Sequence, residues 1–145
     1  MQLPTPNRQQ LTQHPCKDDY QRILSNAFEL AKEIEVQFQG HMPFGVALTK
    51  SDEITFIGYQ GGQLPTGLLE HIEAQLVNMK PVLKACARCT RVDIRMEGGQ
   101  RMSALQVQLE HLNGVALQAY QPIQGSERWW VEEGFNRVFS QDDKS

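Results

Sequence analysis

Cys86 and Cys89 are separated by two residues, one of which is Arg88. Two thiolates at that spacing can grip one soft metal ion such as zinc, and a neighbouring guanidinium favours the thiolate form. A structural zinc site needs four ligands. The third cysteine, Cys16, follows His14 by two positions, so the amino-terminal segment would have to fold back to complete the set. A redox C-x-x-C opens a helix after a strand. This one follows a helix and enters a strand. The plainer reading is two small, semi-buried thiols at a helix-to-strand junction.

Glu110-His111 is the second pair with chemical capacity. A carboxylate can orient an imidazole for acid–base work or for ligand contact. Adjacent residues on a strand point to opposite faces, however. The expectation is therefore a histidine at the rim of an apolar face, where His111 would be the ligand contact, and a solvated Glu110. Glu70, His71 and Glu73 fall on a helix, off its apolar stripe, and read as a solvated face. No serine or cysteine stands in a nucleophile-elbow sequence, and no glycine loop with a lysine could cradle a phosphate.

Two further groups suggest contact with a partner. Gln106, Gln108 and Gln118 share the polar face of neighbouring strands and can bond to a partner at modest desolvation cost. Trp129 and Trp130 are adjacent indoles, a residue type enriched where binding energy concentrates. On a helix they would point about 100° apart. One would close the core and the other would meet a partner.

The elements that must position these residues follow from periodicity. In residues 91–121, Val92 and Ile94 alternate with Asp93 and Arg95. Leu105, Val107 and Leu109 alternate with Gln106, Gln108 and Glu110. Val115, Leu117 and Ala119 then alternate with Gln118 and Tyr120. A period of two marks half-buried strands. A three-residue loop, Leu112-Asn113-Gly114, pairs Leu109 with Leu117 and Val107 with Ala119, keeping one face dry. Residues 17–39 repeat apolar side chains every three or four positions from Tyr20 to Phe38, as a helix lying on a sheet does. Residues 43–49 and 53–59 form a hairpin around Lys50-Ser51-Asp52, with Ala47 and Ile57 on a second covered face. A second helix starts near Thr66, a candidate cap, and ends near Met79 because Pro81 cannot continue it. Residues 82–87 allow another short helical turn. Residues 126–139 read as a short closing helix interrupted at Gly134.

The expected architecture is α+β. A five-stranded antiparallel sheet, a hairpin plus a three-strand meander, lies under two main helices and a short carboxy-terminal helix. Residues 1–16 read as a flexible leader, 17–140 as a single domain and 141–145 as a solvated tail. The chain has 145 residues, 40% of them hydrophobic, enough for one core without staples. A net charge of −3 gives no electrostatic case for nucleic acid or an anionic membrane. No apolar run is long enough to span a bilayer, and no secretory signal is recognisable. The expected location is the cytoplasm. The three cysteines are an odd number and would stay reduced there.

This order of elements resembles the roadblock, longin and profilin-like architectures, which host many functions. Short segments also resemble a group of small bacterial proteins with no assigned activity. These carry Pro-Phe before the first strand, an Asp-Gly turn, an Asp-Ala-Ile strand start, Leu-Glu-His, a Gly turn and a closing Pro-Tyr. The matching residues here are Pro43-Phe44, Asp52-Glu53, Ser103-Ala104-Leu105, Leu109-Glu110-His111, Gly114 and Pro122-Ile123. Glu53, Ser103 and Ile123 depart from the pattern.

The leading expectation is a non-enzymatic, homodimeric interaction module without a cofactor. A small-ligand or zinc-binding domain using Cys86 and Cys89 is the alternative. An enzyme using His111 or His71 as acid or base is the third reading.

Overall fold

The computed structural model describes residues 17–38, 43–58, 67–95, 98, 99, 101–122 and 130–139. The expected leader, the tail and Trp129 lie outside these residues. The architecture is α+β, an antiparallel sheet with two helices, but the sheet has six strands rather than five.

Helix α1 spans Lys17–Phe38. Asp18 and Asp19 in its first turn suit the positive end of the helix dipole. Its stripe buries Tyr20, Ile23, Ala27 and Ala31 against the sheet. Strands β1, Phe44–Thr49, and β2, Ile54–Ile57, form the expected hairpin, with Leu48 opposite Ile54. Helix α2, Leu68–Asn78, buries Leu68, Ile72 and Leu76. Gly67 occupies its N-cap position, and the expected cap Thr66 lies outside the described residues. The helix ends as Pro81 requires, and a short 3-10 helix, Lys80–Val82, follows.

Strand β3 then runs Leu83–Arg95 without interruption. The short helical turn expected over residues 82–87 is therefore confined to the 3-10 helix, and the rest is strand. Both faces are covered along this half of β3, so the apolar–polar alternation that marks a strand is lost there. Ala85, Ala87 and Cys89 pack toward α1, while Cys86 packs toward α2.

Strands β4, Arg101–His111, and β5, Ala116–Pro122, pair as the dry face demands. Leu109 faces Leu117 and Val107 faces Ala119. The loop between them turns at Gly114, whose φ of 95° favours glycine. Among the described residues the closing helix is not found. Residues Trp130–Glu133 form strand β6, paired antiparallel with β5 from Leu117↔Glu133 to Tyr120↔Trp130. Val131 alternates inward to the core and Glu132 outward, a two-residue period too short to outweigh the aromatic run in sequence.

The strand order is β2-β1-β3-β4-β5-β6. The two helices do not share one roof. Helix α1 covers Val46, Leu48, Leu105, Val107, Leu109 and Leu117, whereas α2 covers Ala47, Ile57, Leu83 and Cys86. The molecule is thus a sheet sandwiched at β1 and β3. Among the described residues, no helix is long and apolar enough to cross a membrane.

Candidate functional site

Glu110 and His111 leave β4 on opposite faces and enter separate networks. Glu110 is fully buried, not solvated as its place on the polar face had suggested. That face is covered here by α2 and by residues 137–139, with Val138 packed into the α2 cluster. Glu110 Oε1 accepts the backbone N–H groups of Arg137 at 2.8 Å, Val138 at 2.8 Å and Phe139 at 3.2 Å. Its other oxygen faces Arg88 Nη2 at 3.5 Å. Arg88 is itself buried and also pairs, through Nη1, with Glu73 of α2 at 3.2 Å. Burial pushes the Glu110 carboxyl above its ordinary 4.5, while the three N–H groups and Arg88 pull the other way.

His111 sits at the start of the β4–β5 turn, buried rather than at an open rim. Its Nε2 lies 2.9 Å from Asp19 Oδ2 of α1, and its Nδ1 accepts the Asn113 N–H at 3.2 Å. Facing an N–H, Nδ1 must be the acceptor, so the ring proton rides on Nε2. The Tyr20 ring meets the imidazole edge-on at 6.0 Å, and the Tyr20 hydroxyl donates to Val115 O at 2.7 Å. Lys84 bridges Asp19 at 3.3 Å and Asp52 at 2.9 Å, and Arg22 donates to Asp52 O at 2.9 Å. Lys84, first by its hydrogen bond, holds the exposed Asp52 carboxyl below 3.8. This chain of charges fastens α1 to one end of the sheet.

Comparison with protein-family models, with curated proteins and with solved structures finds no match. Chemical capacity therefore rests on geometry.

That geometry commits the acid–base groups inward. Glu110 has no exposed surface, and both ring nitrogens of His111 are engaged. His71 is exposed on α2, bonded to Gln75 Nε2 at 2.7 Å, and Glu70 is exposed beside it. Of the three polar residues expected on that solvated face, Glu73 is drawn to Arg88. Cys86 and Cys89 lie within β3, not at a helix-to-strand junction. An offset of three on a strand sends them to opposite faces, and they belong to different apolar clusters. The structure does not bring their sulfurs to one point. Among the described residues, no group of three or more His, Cys, Asp or Glu side chains could hold a metal ion. Burial pushes both thiols up; at Cys86 the facing Glu110 carboxylate adds to it.

The glutamines do converge. Gln106 Nε2 donates to Gln118 Oε1 at 3.1 Å and to the Tyr120 hydroxyl at 3.0 Å. Gln108 Nε2 and Thr90 Oγ1 both reach Gln106 Oε1, at 3.2 and 3.3 Å. Tyr120 also donates toward Glu132 at 3.1 Å. Trp130 occupies the register position opposite Tyr120.

Arg88, Glu73, Asp19 and Lys84 were not recognised in sequence as members of these networks. The available signal was Arg88. A guanidinium inside a run of small apolar residues must find carboxylates if the run is buried. Asp19 and Glu73 carry no such mark, because their partners are distant in sequence.

Proposed function

We propose that the chain is a non-enzymatic interaction module that forms a homodimer through the glutamine-bearing face of β4 and β5. The observation that carries this reading is the hydrogen-bonded ladder of Thr90, Gln106, Gln108, Gln118 and Tyr120. The three glutamines and Thr90 are half-buried, and α2 packs to one side of them on β1 and β3. Carboxamides and hydroxyls both donate and accept, so such a surface is complementary to itself across a two-fold axis. Holding the amides in place before contact reduces the ordering cost of association. Trp130 prolongs the Thr90–Gln106–Tyr120 row along the sheet, and Trp129 and Trp130 are the proposed aromatic anchors.

The non-enzymatic part is supported by Glu110 and His111, whose polar atoms hold the fold together. The reading places the module in the cytoplasm and gives it no cofactor.

Light scattering of the full chain tests the dimer. The expected mass is twice 16.5 kDa, falling to one chain in a Gln108→Lys, Gln118→Lys double variant. A wild-type chain that stays monomeric at high concentration removes the proposal.

A further inference from the structure

Asn113, in the β4–β5 turn, is the asparagine of this chain that a glycine follows. Asn7, Asn26, Asn78 and Asn136 are followed by Arg8, Ala27, Met79 and Arg137. A glycine nitrogen is the least shielded backbone nucleophile, because no Cβ stands beside it. Asn113 and Gly114 are both exposed, and a Cβ built on Gly114 would meet nothing within 4 Å.

The turn also holds the carboxamide in place. Asn113 Oδ1 accepts the Val115 N–H at 3.0 Å. A bond from a side-chain oxygen to the N–H two residues on is an Asx turn, which folds the carboxamide back along the peptide link. The side-chain carbon therefore faces the Gly114 nitrogen, and attack starts from a held conformer. The Val115 N–H polarises that carbonyl and stands where negative charge develops on Oδ1. One contact opposes the attack. The Gly114 N–H donates to His111 O at 2.9 Å and must let go before the nitrogen loses its proton. Loosening one exposed hydrogen bond slows the step by about tenfold at most.

We propose that Asn113 is a site of spontaneous deamidation in the folded chain, and that its isoaspartyl product unfastens the segment that follows β6. The Gly114 nitrogen, having given up its proton, bonds to Asn113 Cγ. The Cγ–Nδ2 bond breaks, the departing nitrogen takes the proton, and ammonia leaves behind a cyclic imide. Water, the sole co-reactant, then opens the ring at either carbonyl. Opening at Cγ gives aspartate. Opening at the main-chain carbonyl gives isoaspartate, in which the chain runs through Cβ and Cγ and is longer by one methylene.

That methylene falls among three anchors. Asn136 Nδ2 donates to Gly114 O at 2.8 Å, the Tyr20 hydroxyl donates to Val115 O at 2.7 Å, and the Asn113 N–H donates to His111 Nδ1 at 3.2 Å. The first of these sits one residue before the stretch that docks on Glu110. Aspartate keeps both the backbone spacing and the Oδ1 acceptor, so it leaves the anchors where they are.

Ageing the full chain at mildly alkaline pH, followed by mass spectrometry, tests both halves. The expected result is a gain of about 1 Da, as –NH2 gives way to –OH, mapped to Asn113. The native chain should convert no more than about tenfold more slowly than the chain in urea, and Asn113→Ser should gain no mass. The isoaspartyl form, isolated by chromatography and identified by electron-transfer fragmentation, should exchange the Arg137 and Val138 amides about tenfold faster than unmodified chain. Asn113→Asp should exchange them as the unmodified chain does. A native chain that converts more slowly than stated overturns the proposal, as does an Asn113→Ser chain that gains the same mass. So does an isoaspartyl form with unchanged exchange, or an Asn113→Asp chain that exchanges as fast as the isoaspartyl form.

Discussion

The Glu110 carboxylate holds the backbone N–H of Val138 at 2.8 Å, both residues buried and 28 positions apart. With the flanking N–H groups of Arg137 and Phe139, this one oxygen docks the last described segment onto β4. Deleting the carboxyl strands three donors and the Arg88 charge. Glu110→Ala should lose about 3–5 kcal/mol in urea unfolding. Retained stability would show that the contacts carry no weight.

The same carboxyl sets a pH dependence. Burial raises its pKa in the folded chain above 4.5, so the folded state binds that proton more tightly than the unfolded state. The resulting stability is fully present below the unfolded value and is lost as pH rises through the raised one. Glu110→Gln removes this group from the titration. Wild type minus Glu110→Gln stability should therefore fall with rising pH from about 4.5 upward. A flat or rising difference contradicts the assignment.

Cys86 and Cys89 should be inert in the folded chain. Both are buried, with thiols pushed up by burial, and thiolate is the reactive form. In a Cys16→Ser background, a thiol-specific reagent near pH 8 should label neither until denaturant is added. Prompt labelling of either without denaturant would refute the placement in β3.

The imidazole of His111 is expected as the tautomer protonated at Nε2, visible in long-range nitrogen–proton NMR spectra. Asp19→Asn weakens the bond that this proton makes and should cost about 1–3 kcal/mol. Loss of protection at the amino-terminal half of α1 should accompany it. A ring protonated at Nδ1 instead would contradict the Asn113 contact.

Gly134 sits where the chain leaves β6 and passes close to β5. A Cβ there would lie 2.7 Å from the Leu117 carbonyl carbon. Gly134→Ala must push the segment outward, at about 1–3 kcal/mol. Amide exchange should accelerate in β6 more than in β3 and β4. Unchanged exchange would mean that the approach is looser than described.

The parts of this fold legible in sequence are those with one dry face. The stripe from Tyr20 to Ala31 and the alternation from Leu105 to Leu117 each specify an element. The requirement that Leu109 and Leu117 share a face even fixes the β4–β5 register. Where both faces are covered the pattern fails. Residues 82–87 allow a short helical turn in sequence, whereas strand runs from Leu83, because alanine and cysteine fill both sides and leave no alternation. The split of the helices between two faces was hidden for the same reason. An amphipathic stripe states that it is buried, not against which side. Residues 130–133 do not announce a strand in sequence because Trp130 and Val131 fit a helix as well as a strand over so short a span. Of the candidate sites, the glutamine ladder follows from strand alternation alone. The Glu110 and His111 networks depend on partners brought from α1, α2 and residues 137–139.

The docking of residues 137–139 also dictates an order of events during synthesis. Until Phe139 clears the ribosome, a nascent chain has β4 with a carboxylate awaiting its three donors and α2 with an incomplete apolar bed. The α2 side of its interior can close only when translation has reached this point, so products that stop short of it should keep that side open and become substrates for quality-control proteases.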